Sequence, residues 1–126
     1  MRPNSLKEVA ELAGQGEPFD LCFRNFLDEF YAAPAETLLA EQPPLLGPAF
    51  DEIGRVWDAY LAAAAEELAR SYQFRMPSWI AGDARRLHIP WFASPLAALR
   101  AALLLESPPA FRSRNLFVSG NALNRA

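Results

Sequence analysis

Only seven of the 126 residues are β-branched: three valines, three isoleucines and one threonine. Strands draw on β-branched and aromatic side chains, so this shortage excludes an architecture built on sheets. A single cysteine, Cys22, excludes an internal disulfide, and a single histidine, His88, excludes a local zinc quartet. The longest apolar run, residues 96–105, is broken by Arg100 and falls short of the ~20 residues that cross a bilayer. The opening residues Met1-Arg2-Pro3-Asn4-Ser5 lead into Lys7 and Glu8 with no apolar core, so they give no secretory signal. No Gly-x-Ser-x-Gly, P-loop or Gly-x-Gly-x-x-Gly occurs. These absences lead us to expect a cytoplasmic protein with no membrane segment, metal or cofactor.

Alanine and leucine dominate instead, with 23 and 18 copies. Both are good helix formers. Eleven prolines and six glycines then divide the chain into short pieces rather than one long rod. The length suits one domain, residues 1–126, of a size that folds without a staple. The expected fold is all-α, a compact bundle of five or six short helices. An irregular aromatic segment at 73–93 and an irregular C-terminal tail complete it.

Local signals place the helices. Ser5-Leu6-Lys7-Glu8 reads as a capping box, and Gly14 as a left-handed stop, which predicts a helix over 6–13. A second helix starts near Pro18, with Phe19, Cys22, Phe23, Phe26 and Phe30 on one stripe at spacings of three and four. A short piece spans 35–41. The best-defined helix spans 49–72, with a seam of Phe50, Ile53, Trp57, Tyr60, Leu61, Ala64 and Leu68. Asp51–Arg55 and Glu66–Arg70 are spaced to pair across one turn of it. Gly54 and Ala62–Ala65 leave its surface thin enough for a close neighbour. A helical turn is expected at 83–88. Ser94-Pro95 opens a helix over 95–106 that is polar only at Arg100 before Glu106. Such a helix belongs either in the core or in an interface; we expect it, with the helix from Pro18 and the helix over 49–72, to supply the core. Leu116-Phe117-Val118 looks extended.

Charge divides unevenly. Residues 1–67 carry four cations against thirteen acids, net −9, and residues 68–126 eight arginines against Asp83 and Glu106, net +6. Three readings follow: the halves pair internally, the basic half meets an acidic protein or a second copy, or it meets nucleic acid. The acidic isoelectric point and the lack of a reading motif weigh against nucleic acid. Among single residues, Arg85 and Arg86 favour a neutral His88. Cys22 fits a small buried apolar residue. Ser94, Ser107 and Ser119 fit caps. The dyads Asp28-Glu29, Asp51-Glu52 and Glu66-Glu67 point ~100° apart on a helix, too divergent for a dicarboxylate site. Trp79, Trp91, Phe92, Phe111 and Phe117 lie outside the long helices, where such rings most often cover the ends of a small core, while Trp with Arg is also the composition of interface hot spots.

The tail from Phe111-Arg112-Ser113-Arg114 to Asn124-Arg125-Ala126, with Pro90-Trp91-Phe92-Ala93-Ser94-Pro95 upstream, resembles a group of small bacterial helical proteins. A looser match lies at Phe26-Leu27-Asp28-Glu29-Phe30-Tyr31. Members of that group are encoded beside predicted nucleotidyltransferase-like proteins, in pairs of the toxin–antitoxin kind. The resemblance implies a protein partner and carries over no catalytic or binding residue. The leading expectation is a non-enzymatic interaction module, antitoxin-like or accessory, that binds a protein or a second copy through Arg112, Arg114, Asn115, Phe117 and Arg125. The alternatives are a small-ligand or enzymatic protein with a pocket formed by Trp57, Trp79, Arg85, His88 and Trp91, and a nucleic-acid binder using the basic tail.

Overall fold

The computed structural model describes residues 2–94 and 96–124. Its helices are α1 (Leu6–Gly14), α2 (Phe19–Ala32), α3 (Thr37–Ala40), α4 (Gly47–Tyr72), α5 (Ala97–Glu106) and α6 (Pro109–Arg112). Two 3₁₀ turns, Ser78–Ala81 and Asp83–Arg85, lie between α4 and α5. The fold class is therefore all-α, as the composition indicates. Among the described residues the sole ladder is a parallel pair, β1 (Trp91–Phe92) with β2 (Leu116–Phe117), in register Trp91 to Leu116 and Phe92 to Phe117. The extended character of 116–118 was legible locally; its partner, 25 residues upstream, was not.

The cap of α1 forms with one change. Ser5 Oγ accepts from Glu8 N–H at 3.1 Å, but the Glu8 carboxylate accepts from Asn4 N–H at 2.7 Å rather than from Ser5. The left-handed residue after α1 is Gly16, φ 103°, not Gly14, so the helix keeps Gly14 as its last residue. In α2 the whole phenylalanine stripe is buried, together with Leu27. It meets α4 through rings: Phe19 stacks on Trp57 at 5.1 Å, and Tyr60 meets Phe23 edge-on at 5.2 Å.

Helix α4 organises the molecule. Ala62–Ala65 are all fully buried, and these small side chains let α6 and the two 3₁₀ turns approach α4 closely. Its start departs from expectation. Asp51 has φ 55° and ψ −126°, which breaks the helix after one turn. The break lets Leu46 and Gly47 fold back over the next turns, where both backbone N–H groups donate to the Asp58 carboxylate at 2.7 and 3.0 Å. Gly54 is obligatory here, because a Cβ would sit 2.3 Å from the Leu46 carbonyl oxygen. The same break cuts the predicted seam: Ile53 is exposed, and Asp51 makes no ion pair with Arg55.

The core is supplied by α1, α2 and α4, capped by Trp79, Ile80, Ala110, Phe111, Leu116 and Val118. Helix α5 is not part of it, which corrects the expectation for 95–106. Of its described side chains only Leu103 is buried, and α5 rests on β2. Ser107 fastens its end: the hydroxyl accepts from Val118 N–H at 2.7 Å and donates to the Leu103 carbonyl at 2.8 Å. Beyond β2, Tyr31 Oη donates to the Leu123 carbonyl at 2.6 Å and draws the tail onto α2.

Candidate functional site

The two residue sets singled out by sequence are distributed differently from expectation. In the tail set, Arg114 is buried and spans three partners: Glu66 Oε1 at 2.9 Å, the Ala110 carbonyl at 2.9 Å and the Ile80 carbonyl at 3.1 Å. Phe117 is buried and stacks on Phe92 with ring centres 5.0 Å apart. Asn115, at φ 64°, donates from Nδ2 to the Leu87 carbonyl at 2.7 Å and accepts from Trp91 N–H on its backbone carbonyl at 2.8 Å. These three hold the rear of the molecule together instead of facing outward. Arg112 is exposed and donates to the Ser107 carbonyl at 2.8 Å. Arg125 lies outside the described residues.

The expected tryptophan pocket is not assembled; its members go to three places. Trp79 is buried, with Nε1 donating to the Leu39 carbonyl at 3.1 Å and the Arg85 guanidinium 4.9 Å above its ring. Trp57 lines a separate depression with Phe19 and Phe50. Trp91 and His88 share a third with Arg86. Arg85, expected at the pocket, is 2% exposed and donates to the carbonyls of Pro43 and Asp58, with the Asp58 carboxylate 3.8 Å away. Burial pushes the Asp58 carboxyl up despite its two backbone donors and Arg85, and pushes the Arg85 guanidinium down. A pair so enclosed and so fully bonded is structural. No sequence signal announced it, because Asp58 and Arg85 are 27 residues apart and no local spacing links them.

The uneven charge is partly settled within the fold. Arg70, Arg85 and Arg114 of the basic half pair with Glu66, Glu67 and Asp58 of the acidic half. Arg75, Arg86, Arg100 and Arg112 have no carboxylate partner among the described residues. His88 and Asp83 stand 3.5 Å apart, both largely in water, where such a pair contributes little.

Two surfaces flank β1 on its opposite faces, since successive strand side chains alternate. On one face Phe92 carries the Arg100 guanidinium 5.0 Å above its ring and lies beside α5. There Leu96, Leu99, Leu104 and Leu105 are exposed by 61, 45, 45 and 83%. On the other face Trp91, Leu87, Ile89 and Pro90 form one wall of a trough against Val56 of α4, with a volume of about 230 Å³. Arg55, Glu52, Arg86 and His88 rim it. The exposed leucines were the signal that an almost wholly apolar helix offers, and sequence reasoning assigned that helix to the core. Comparison with family models, with curated proteins and with solved structures finds no match to this chain.

Proposed function

We propose that the protein is a non-enzymatic, cytosolic interaction module, the antitoxin-like or accessory member of a two-protein bacterial system, which docks through the outer face of α5. The observation that carries this reading is the exposure of four leucines, 96, 99, 104 and 105, on and beside one ten-residue helix. Burying a leucine is worth roughly 1.5–3 kcal/mol relative to leaving it in water, so covering these side chains would contribute strongly to binding. Surfaces of that kind mark partner sites. Ala101 and Ala102 are exposed on the same helix and let a partner approach the backbone closely.

Charge narrows the partner. Around α5 stand Arg100 and Arg112, with Glu106 committed to the Gly120 N–H at 3.1 Å. The fitting occupant is a different protein that offers an apolar groove with an acidic rim, the helix-in-groove mode of recognition. A photoreactive benzoylphenylalanine placed at Leu105 in the native cells tests this. We expect one adduct with a heterologous protein and none from the same group at Glu11. In a titration of that purified partner, Leu104→Glu with Leu105→Glu should weaken binding at least tenfold with helicity unchanged, an effect of about 1.4 kcal/mol. Unchanged affinity, no adduct, or an adduct only with a second copy overturns the proposal.

A further inference from the structure

We infer that the trough between α4 and the segment 86–91 is a binding site for a small aromatic monocarboxylate, a ligand site separate from the α5 face. Its floor and walls are apolar: Val56 is buried beneath it, and Leu87, Ile89, Pro90 and Trp91 enclose it. Ile89 is 77% exposed with nothing above it, so the apolar wall faces water. A volume of about 230 Å³ admits one ring and a short chain, below the ~300–1,000 Å³ of drug-sized sites. Trp91 supplies a flat surface for a ring to stack against.

The rim selects the charge. Arg55 from α4 and Arg86 from the loop both reach the trough, and neither has a carboxylate partner among the described residues. Guanidinium groups recognise carboxylates through paired, charge-assisted hydrogen bonds. Glu52 also lines the rim, so the guanidiniums of Arg55 and Arg86 leave one net positive charge over its carboxylate. That balance suits a monoanion and disfavours a dianionic phosphate.

The wall is built in advance of any ligand. Leu87 N–H donates to the Arg114 carbonyl at 3.1 Å, and Asn115 fastens both Leu87 and Trp91, holding the loop by its two ends. Asparagine tolerates the left-handed backbone this requires, which most other residues do not. Asn115 is thus a positioning residue for the site and has no contact with the ligand itself.

Titration of the full chain with 3-phenylpropionate, followed by amide and indole N–H chemical shifts, tests the proposal. Saturable shifts are expected at Trp91, Leu87 and Ile89. The neutral analogue 3-phenylpropan-1-ol and phenyl phosphate should each bind about tenfold more weakly, the loss of one charge-assisted hydrogen bond or the mismatch of one charge. Arg86→Gln, at an exposed position, should weaken the acid about tenfold while leaving the alcohol unchanged. Arg55→Gln should do the same; its stem packs near Gly47, so Arg86→Gln is the decisive variant if Arg55→Gln unfolds. No saturable shift at the trough at about 10 mM ligand, equal affinity for acid and alcohol, or an unaffected Arg86→Gln protein overturns the site.

Discussion

Helices α2 and α5 are buried in inverse order of their apolar content. Helix α2 carries Asp20, Arg24, Asn25, Asp28 and Glu29 among fourteen residues, yet sinks Phe19, Cys22, Phe23, Phe26, Leu27 and Phe30 out of water. Helix α5 has Arg100 and Glu106 as its sole polar residues, and Leu103 is the one described side chain it buries. The reason is spacing. The stripe of α2 recurs every three or four positions, so its rings lie on one side, where α1 and α4 cover them, and Leu21, off the stripe, stays exposed. Those of α5 run round the whole helix, and its contact with β2 covers the side that carries Leu103. Burial follows from pattern and from what lies opposite, and apolar content alone does not secure it.

The largest effect that would break this contrast is a core truncation. Phe26→Ala removes a fully buried ring and should cost about 3–5 kcal/mol, whereas Leu105→Ala should change stability by less than about 0.5 kcal/mol. Urea unfolding of the two variants measures both. Similar losses would mean that α5 is covered in solution and that its exposed face is not available to a partner.

The arginines of the basic half divide in the same way, which gives the second test. Arg114→Ala would strip Glu66, Ala110 and Ile80 of one donor group each in a buried place and should cost about 2–4 kcal/mol. Arg112→Ala loses one hydrogen bond at an exposed position and should cost under about 1 kcal/mol. A protein that tolerates Arg114→Ala as easily as Arg112→Ala would place the tail outside the folded core. For binding experiments, Arg112 is accordingly the informative tail position, since loss of affinity in an Arg114 variant would be confounded with loss of structure.

Legibility in sequence tracked the range of each interaction. The Ser5 cap, the α2 stripe and the Glu66–Arg70 pair involve residues three or four apart, and all three were readable. The end of α4 at Tyr72 was readable too, and Gln73 supplies the left-handed cap at φ 59°. The long-range features were not. Trp91–Leu116 pairing, the Asp58–Arg85 pair and the stapling of Leu87 by Asn115 join segments 25 to 28 residues apart, and no local pattern reports them. The break at Asp51 was hidden for a different reason: the residue is an ordinary helix-surface acid by composition, and only the fold-back of Leu46 over Gly54 demands its backbone. For the expected pocket, the structure groups the residues differently. Trp91 and His88 do share a trough, with Arg86 in place of Arg85.

The smallest effect concerns the seat beneath α5. Glu66 stands on α4 between Arg70 and Arg114, and although partial burial pushes its carboxyl up, hydrogen bonds from the two guanidiniums bring it below the ordinary value of 4.5. The folded protein therefore holds that proton less tightly than the unfolded chain, and the stabilisation is present above pH 4.5 and lost as pH falls through the lower folded value. Asp58 acts in the opposite sense. Its carboxyl is raised by burial, so its contribution is greatest at acid pH and declines as pH rises through its folded value. Glu66→Gln separates them. At neutral pH it should destabilise by about 1 kcal/mol, since the pair is partly solvated. Below pH 4.5 the difference from the native protein should shrink towards zero. Urea midpoints at pH 7 and pH 3 read this directly. A difference that stays constant across that range would mean that the Arg114–Glu66 contact does not hold the rear of the molecule, and that the seat of α5 depends on Ser107 and the Phe92–Phe117 stack alone.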